Sequence, residues 1–208
     1  MNYHWIIDAG HGGIDPETNE YTTRGKRSPD FPIGSKYEGQ VLYEGVRNRQ
    51  VAECLEYLLT EAGIPYSTVY DTYKDLSLKE RVRRANEINE EHLKCVYLSI
   101  HHNAYGSDWN KANGISTYHY PKSDAGFRLA NVFQRQNVDK MNWRNRGVKS
   151  SAFYVLKHTG MPAVLTENGF MTNLKQATSL MSNCVSHQIA EAHFEAIKEI
   201  NSRGLKFL

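Results

Sequence analysis

The run CVYLSI, Cys95–Ile100, is apolar except at Ser99 and ends in two adjacent histidines, His101 and His102. A strand with one wet face alternates apolar and polar residues. A run without that alternation suits a strand covered on both faces, as in a parallel sheet sandwiched between helices. The rest of the chain supplies such helices. Residues 44–62 carry Val51, Leu55, Leu58, Leu59 and Ala62 on one stripe, stopped by Gly63, and 77–91 carry Leu78, Val82, Ala85 and Ile88 on one face. Further helices are expected over 124–140, 174–182 and 186–202. Strands are expected at YHWIID, YSTVY, CVYLSI, GISTYHY, FYVL and AVLTE. Alternation at this spacing predicts an α/β fold: a single domain over residues 1–208 with a mostly parallel twisted sheet of about six strands, flanked by helices on both faces. No repeat, low-complexity block or Pro/Ser linker divides it.

In such sheets, sites gather where strands end at their carboxyl edge. Three predicted strands end at chemically loaded points: Asp8-Ala9-Gly10-His11, His101-His102-Asn103 and Glu167-Asn168-Gly169. Residues 12–43 break the compact pattern, with five glycines, three prolines and no periodicity. A loop of that length inside a domain is usually functional, and it is expected to form a rim or lid over the carboxyl edge.

His11 sits between glycines in DAGHGG, which let the backbone turn sharply and approach a bound group. Neither a phosphate-loop nor a dinucleotide-binding glycine pattern is present. Glu44 opens the first long helix, where the helix dipole favours a carboxylate in any event. The triplet YEG occurs twice, but Glu38 lies in the loop and only Glu44 is anchored by the helix. Glu167 ends the apolar run PAVLTE, and a carboxylate there is costly unless paired or poised as a general acid or base. Two imidazoles and one carboxylate are the ligand set of an open catalytic zinc site, with a water in the fourth position. A second carboxylate outside that set would take the water's proton. The residues alone leave open which histidine of the pair and which glutamate does which task.

Composition narrows the partners. The formal net charge is +2 and no basic run is present, which gives no case for nucleic acid. No segment is long and apolar enough for membrane insertion. Cys54, Cys95 and Cys184 are odd in number and far apart, against a disulfide framework or a cysteine metal site.

Eight segments in order, IIDAGHGG, EGVRNRQVAECLEYLLTEAGI, LSLKERVRRAN, LSIHHNA, GISTYHY, NRGVK, MPAVLTENGFMTN and QIAEAHFEAI, run from Ile6 to near Ile200. Together the chain resembles the zinc-dependent N-acetylmuramoyl-L-alanine amidases of the amidase 3 group. The resemblance implies one zinc ion (Zn2+) per chain, held by His11 of the G-H-G-G turn, by Glu44 four residues before Asn48, and by His101 of the S-I-H-x-N-A segment. Glu38 has Leu42 at the corresponding distance and does not fit. His102 falls where the group usually has a small residue, and is expected near the site with a hydrogen-bond partner of its own. Glu167 matches the group's catalytic glutamate. The implied substrate is peptidoglycan, a muramyl peptide. The implied reaction is hydrolysis of the amide between the lactyl group of N-acetylmuramic acid and the L-alanine of the stem peptide, with a zinc-bound water as nucleophile and Glu167 as general base and acid. The sequence shows no signal peptide and no wall-binding repeats. That combination resembles a phage or prophage endolysin or an excised catalytic domain. A chain of that kind is made in the cytoplasm and acts on the cell wall after holin-type or other non-classical release.

Two alternatives remain beside it: a zinc peptidase acting within the stem peptide, and a catalytically dead wall-binding module. The second has no need of Glu167. Of the other histidines, His187 pairs with Glu191 one turn away as a surface pair, and His193 is expected to be a satisfied core or boundary residue. His158 and Arg146 fall in expected loops that could line a cleft.

Overall fold

The structure, a computed structural model, describes residues 3–206. Strands β1 (His4–Ala9), β2 (Tyr66–Thr68), β3 (Cys95–Asn103), β4 (Ile115–His119), β5 (Asn145–Ser150) and β6 (Ala163–Phe170) form one sheet in the order β2-β1-β3-β6-β4-β5. The β1–β2, β1–β3, β3–β6 and β4–β5 pairs are parallel, and β4–β6 is antiparallel. Helices α1 (Glu44–Glu61), α2 (Leu78–Glu91), α3 (Asp124–Met141), α4 (Tyr154–His158), α5 (Leu174–Leu180) and α6 (Asn183–Arg203) complete the chain. This is the mostly parallel, helix-flanked α/β architecture expected from the strand and helix patterns.

The unalternating strands are explained by two cores. Trp5, Ile7, Ala9, Val96, Leu98 and Ile100 face one side, against Leu55 of α1, Phe133 of α3 and Ile197 of α6. Ile6, Tyr97 and Leu165 face the other, against Val82 and Ala85 of α2 and Val155 and Leu156 of α4. Burying each such side chain contributes about 1.5–3 kcal/mol, so both faces of β1 and β3 are strongly specified. Polar signals set the helix ends: the Ser77 hydroxyl accepts from the Glu80 N–H at the start of α2, and the Ser123 hydroxyl accepts from the Gly126 N–H at the start of α3.

One expected strand is a helix. FYVL supplies α4, in which Val155 and Leu156 pack on α2. A short apolar run fits a buried helical turn as well as a strand, and periodicity does not separate them. The strand in this region is instead NRGVKS, β5, which pairs only with β4 at the sheet edge and needs no apolar face. Helix α5 ends at Leu180 and α6 starts at Asn183, within a few residues of the expected bounds.

Residues 12–43 have no long helix or strand but are well tied down. Single β-bridges join Ile14 to Tyr21 and Arg27 to Tyr43. The Ser28 hydroxyl accepts from the Leu42 N–H at 2.9 Å, and Phe31 and Leu42 are buried in the larger core. Phe31→Ala should therefore destabilise the fold by about 3 kcal/mol. Ile33→Ala, two residues away at an exposed tip, should change it by less than about 0.5 kcal/mol. Urea unfolding of both variants checks this; equal effects would mean that the segment is not packed as described.

Candidate functional site

The carboxyl ends of β1, β3 and β6 lie side by side, with His101 and Glu167 as register partners on adjacent strands. After β1 the chain turns through Gly10, whose N–H donates to the Ile100 carbonyl. A side chain at Gly10 would have its Cβ 2.1 Å from the His101 ring, so only glycine lets the two pass. His11 follows with φ 65°, a left-handed conformation uncommon for a residue with a side chain. Its carbonyl accepts from Arg49 Nη2 at 2.9 Å and Arg81 Nη2 at 2.7 Å, which hold the turn in that shape.

Glu44 reaches this turn from the first residue of α1 and is buried. Gly45 lets the helix start abut the turn, because a Cβ there would lie 1.9 Å from the Gly12 carbonyl oxygen. The Glu44 carboxylate lies 3.2 Å from His11 Nε2 through Oε2 and 2.9 Å from His101 Nδ1 through Oε1. Burial alone would raise the Glu44 pKa; hydrogen bonds and charge from His101 and His11 outweigh it and hold the carboxyl well below the usual range. Burial opposes protonation of His101, but Glu44, Glu167 and Asp8 outweigh it and raise its pKa. One donor atom from each of His11, Glu44 and His101 falls within a 4.8 Å group. Such a group suits a single ion: two neutral imidazole lone pairs and a carboxylate that is already ionised.

Glu167 stands apart from that group. Its side chain is partly exposed to the cleft, yet Oε2 is buried with no hydrogen-bond partner. Burial, reinforced by the charge of Glu44, pushes its pKa up to about 8, against the opposing pull of His101, Lys26 and Lys149. A carboxyl so placed is suited to accept and return a proton near neutral pH.

His102 points away from the group. Asn48 donates through Nδ2 to the Gly10 carbonyl at 3.0 Å, so its Oδ1 accepts from His102 Nδ1 at 2.7 Å. Burial takes the His102 pKa down to about 4 and keeps the ring neutral. Of the remaining histidines, His187 and Glu191 are the exposed pair expected, 3.4 Å apart. His193 is buried, but neither ring nitrogen has a hydrogen-bond partner among the described residues, so it is a core residue without being satisfied. His158 packs on the Tyr154 ring, Arg146 lies over the Phe170 ring from β5, and neither lines the cleft.

The ion pair of Asp8 and Arg81 was not evident as part of the site. Asp8 is buried and accepts from Arg81, from the Tyr97 hydroxyl at 2.7 Å and from the Ser99 hydroxyl at 2.9 Å. Burial would raise its pKa, but the Arg81 charge, the Tyr97 hydrogen bond and the His101 charge outweigh it and lower the pKa. The signal available was Asp8 itself, a charge closing an apolar strand, which requires a partner.

The three grouped side chains and Glu167 lie in a cleft of about 1240 Å³, with Thr23–Asp30 along one wall and Leu78, Phe153 and Tyr154 along another. Among the described residues no helix is long and apolar enough to cross a membrane.

The chain is similar to known proteins over most of its length. A family model described as N-acetylmuramoyl-L-alanine amidase, of the amidase 3 group, matches residues 6–199. The chain is 35% identical to the uncharacterised protein YqiI of Bacillus subtilis over 189 residues, covering 89% of this chain and 79% of that protein. It is also 35% identical to the N-acetylmuramoyl-L-alanine amidase LytC of Bacillus subtilis, over 90% of this chain but only 33% of LytC. The crystal structure of an N-acetylmuramoyl-L-alanine amidase from Clostridium difficile 630 superposes with a TM-score of 0.78 and 28% identity, covering 98% of each chain.

Arg81→Met should cost about 3–5 kcal/mol, because it leaves Asp8 buried without its counter-ion. The double variant D8N/R81M should recover about half of that. The lowered Asp8 pKa also fixes a pH dependence. Its stabilising contribution is present above the unfolded value of about 3.9 and is lost as pH falls through the folded value. The deficit of Asp8→Asn relative to wild type should thus hold between pH 7 and 5 and shrink below about pH 4. Urea titrations across that range measure it, and a deficit that grows on acidification would contradict the pairing.

Proposed function

The chain belongs to the N-acetylmuramoyl-L-alanine amidase family, and from that premise we propose that it hydrolyses the amide joining the lactyl group of N-acetylmuramic acid to the L-alanine of the peptidoglycan stem peptide. One zinc ion would be held by His11, Glu44 and His101, and Glu167 would serve as general base and acid. The observation that carries this reading is the division of labour in the cleft: three donors grouped within 4.8 Å, and one unpartnered carboxyl oxygen on the neighbouring strand. The donor set fits the metal, since three protein ligands leave a position open, whereas a fourth would close the site. Bound zinc supplies a Lewis acid that lowers the pKa of a water to about 7 and polarises the scissile carbonyl.

The chain's own residues supply the remainder. Glu44 stays ionised beside both imidazoles, while Arg49 and Arg81 hold the His11 carbonyl and so the turn that presents the His11 ring. Asn48 ties His102 to the Gly10 carbonyl, which supports the turn from behind. Glu167 takes a proton from the attacking water as the new C–O bond forms. It then delivers that proton to the alanine nitrogen as the C–N bond breaks, and the water's second proton passes to the released amine, leaving a lactyl carboxylate and an alanine ammonium group. Segment 12–43 acts as a fixed wall of the substrate cleft. The site of action is the cell wall, where the substrate is.

Purified peptidoglycan digested by the protein should yield stem peptides with new L-alanine amino termini, identified by mass spectrometry. New termini within the stem would make the protein a peptidase. A chelator should abolish the activity and zinc should restore it. Glu167→Gln should retain one zinc per chain by elemental analysis and lose at least about 10³-fold in rate; retained activity would remove Glu167 from the role of base. His11→Ala and His101→Ala should each lose the metal, whereas His102→Ala should keep it.

A further inference from the structure

The cleft's two walls differ in character. Leu78, Phe153 and Tyr154 give one wall an exposed apolar surface. The facing wall, Thr23–Asp30, carries Arg24, Lys26 and Arg27. Arg27 is paired with Asp30 at 2.6 Å. Arg24 and Lys26 are exposed, and neither has an ion-pair partner among the described residues. Of the acidic groups in the cleft, Asp75 lies 3.5 Å from Arg81 and Asp30 pairs with Arg27.

Lys26 differs from Arg24 in where its backbone is held. Its carbonyl accepts from the Glu44 N–H at 2.9 Å, so it is joined by one hydrogen bond to a residue of the grouped donors. On one side, the Thr23 hydroxyl accepts from the Gly12 N–H at 2.7 Å, and on the other Arg27 bridges Tyr43. The backbone is therefore fixed, while the exposed side chain lines the cleft that also holds Glu167.

We infer that Lys26 is a specificity-determining residue that binds the free α-carboxylate of the second stem-peptide residue, so that the protein prefers acidic over amidated muramyl peptides. This rests on the amidase reading. In peptidoglycan the second residue continues the stem through its side-chain carboxyl, which leaves its α-carboxyl either free or amidated. Consecutive Cα atoms are about 3.8 Å apart, which places that group roughly 7 Å from the scissile amide. A lysine side chain pinned at the edge of the donor group spans such a distance. The wall of Leu78, Phe153 and Tyr154 offers a carboxylate the Tyr154 hydroxyl but no cation, so the charged end of the peptide is directed to the basic wall.

The probes are two disaccharide tripeptides that differ only in whether the second residue's α-carboxyl is free or amidated. Wild type should show a KM about tenfold lower for the free acid, the effect expected of one charge-assisted hydrogen bond at a half-exposed site. Lys26→Met should raise KM for the acid to nearly that for the amide, and Lys26→Arg should restore most of the difference. Lys36→Met, exposed on the same segment outside the cleft, is the control and should alter neither. Because Lys26 lines the same cleft as Glu167, kcat can change for both substrates alike; the ratio of the two KM values is the decisive quantity. Calorimetry on Glu167→Gln, with and without Lys26→Met, reads the same preference as a Kd ratio without turnover. A Lys26→Met effect equal on both substrates, or no preference in wild type, overturns the role of Lys26 alone. Failure of wild type to cleave either probe, together with failure of Glu167→Gln to bind either, overturns the amidase reading and this inference with it.

Discussion

A buried guanidinium organises the carboxyl edge of this sheet. Arg81 comes from α2, and its side chain is almost wholly out of water. It donates to the Asp8 carboxylate and to the carbonyls of Ala9, His11 and Leu76. An isolated ion at that depth carries a penalty of several kcal/mol. Here the planar donor fork meets acceptors from separate stretches of chain, so the charge is used to fasten the end of β1, the His11 turn and the entry to α2 together. The left-handed backbone at His11 is tolerable because Arg49 and Arg81 both hold its carbonyl. Rigid support of this kind keeps a grouped set of donors in place before any ligand arrives.

The paired histidines at the end of β3 show how one strand serves both the cleft and the core. Side chains alternate, so His101 follows Tyr97 and Ser99, while His102 follows Leu98 and Ile100 toward the α1 side. His101 meets Glu44. His102 is met by Asn48, one turn along the same helix. Residues four apart lie on one helical face, so α1 addresses both histidines at once. The same spacing of Glu44 and Asn48 that distinguished Glu44 from Glu38 in the sequence thus has a physical basis. A glutamate in the loop could not bring an asparagine to His102 along a helix.

Much of the fold was legible because burial on both faces leaves a strong mark: β1, β3 and β6 read as apolar runs and α1 and α2 as striped helices. The errors fall where that mark is weak. Strand β5 is a polar edge, and α4 is a single apolar turn that periodicity cannot distinguish from a strand. In the site, His11, Glu44, His101 and Glu167 were recognisable from their places at element ends and from the ordered resemblance of the surrounding segments. Arg81 was not, because a charged residue in a helix normally indicates a solvated face. Its role depends on Asp8, 73 positions away in sequence, and only the folded chain brings them together.

The wall contributed by residues 12–43 is fastened to the donor group by the same contacts that form it. The Glu44 N–H lacks an intrahelical partner at the start of α1 and takes the Lys26 carbonyl. The Gly45 N–H takes the Tyr21 hydroxyl, and the Gly12 N–H takes the Thr23 hydroxyl. Each of these bonds satisfies a backbone donor beside the proposed ligands with a group from the wall. Phe31 and Leu42 anchor the segment in the core. Side chains that project from the wall, such as Lys26, can therefore vary without disturbing this backbone, whereas a change that moves the backbone also moves Glu44. That separation lets substrate preference reside in exposed side chains while the geometry of the donors depends on buried hydrogen bonds.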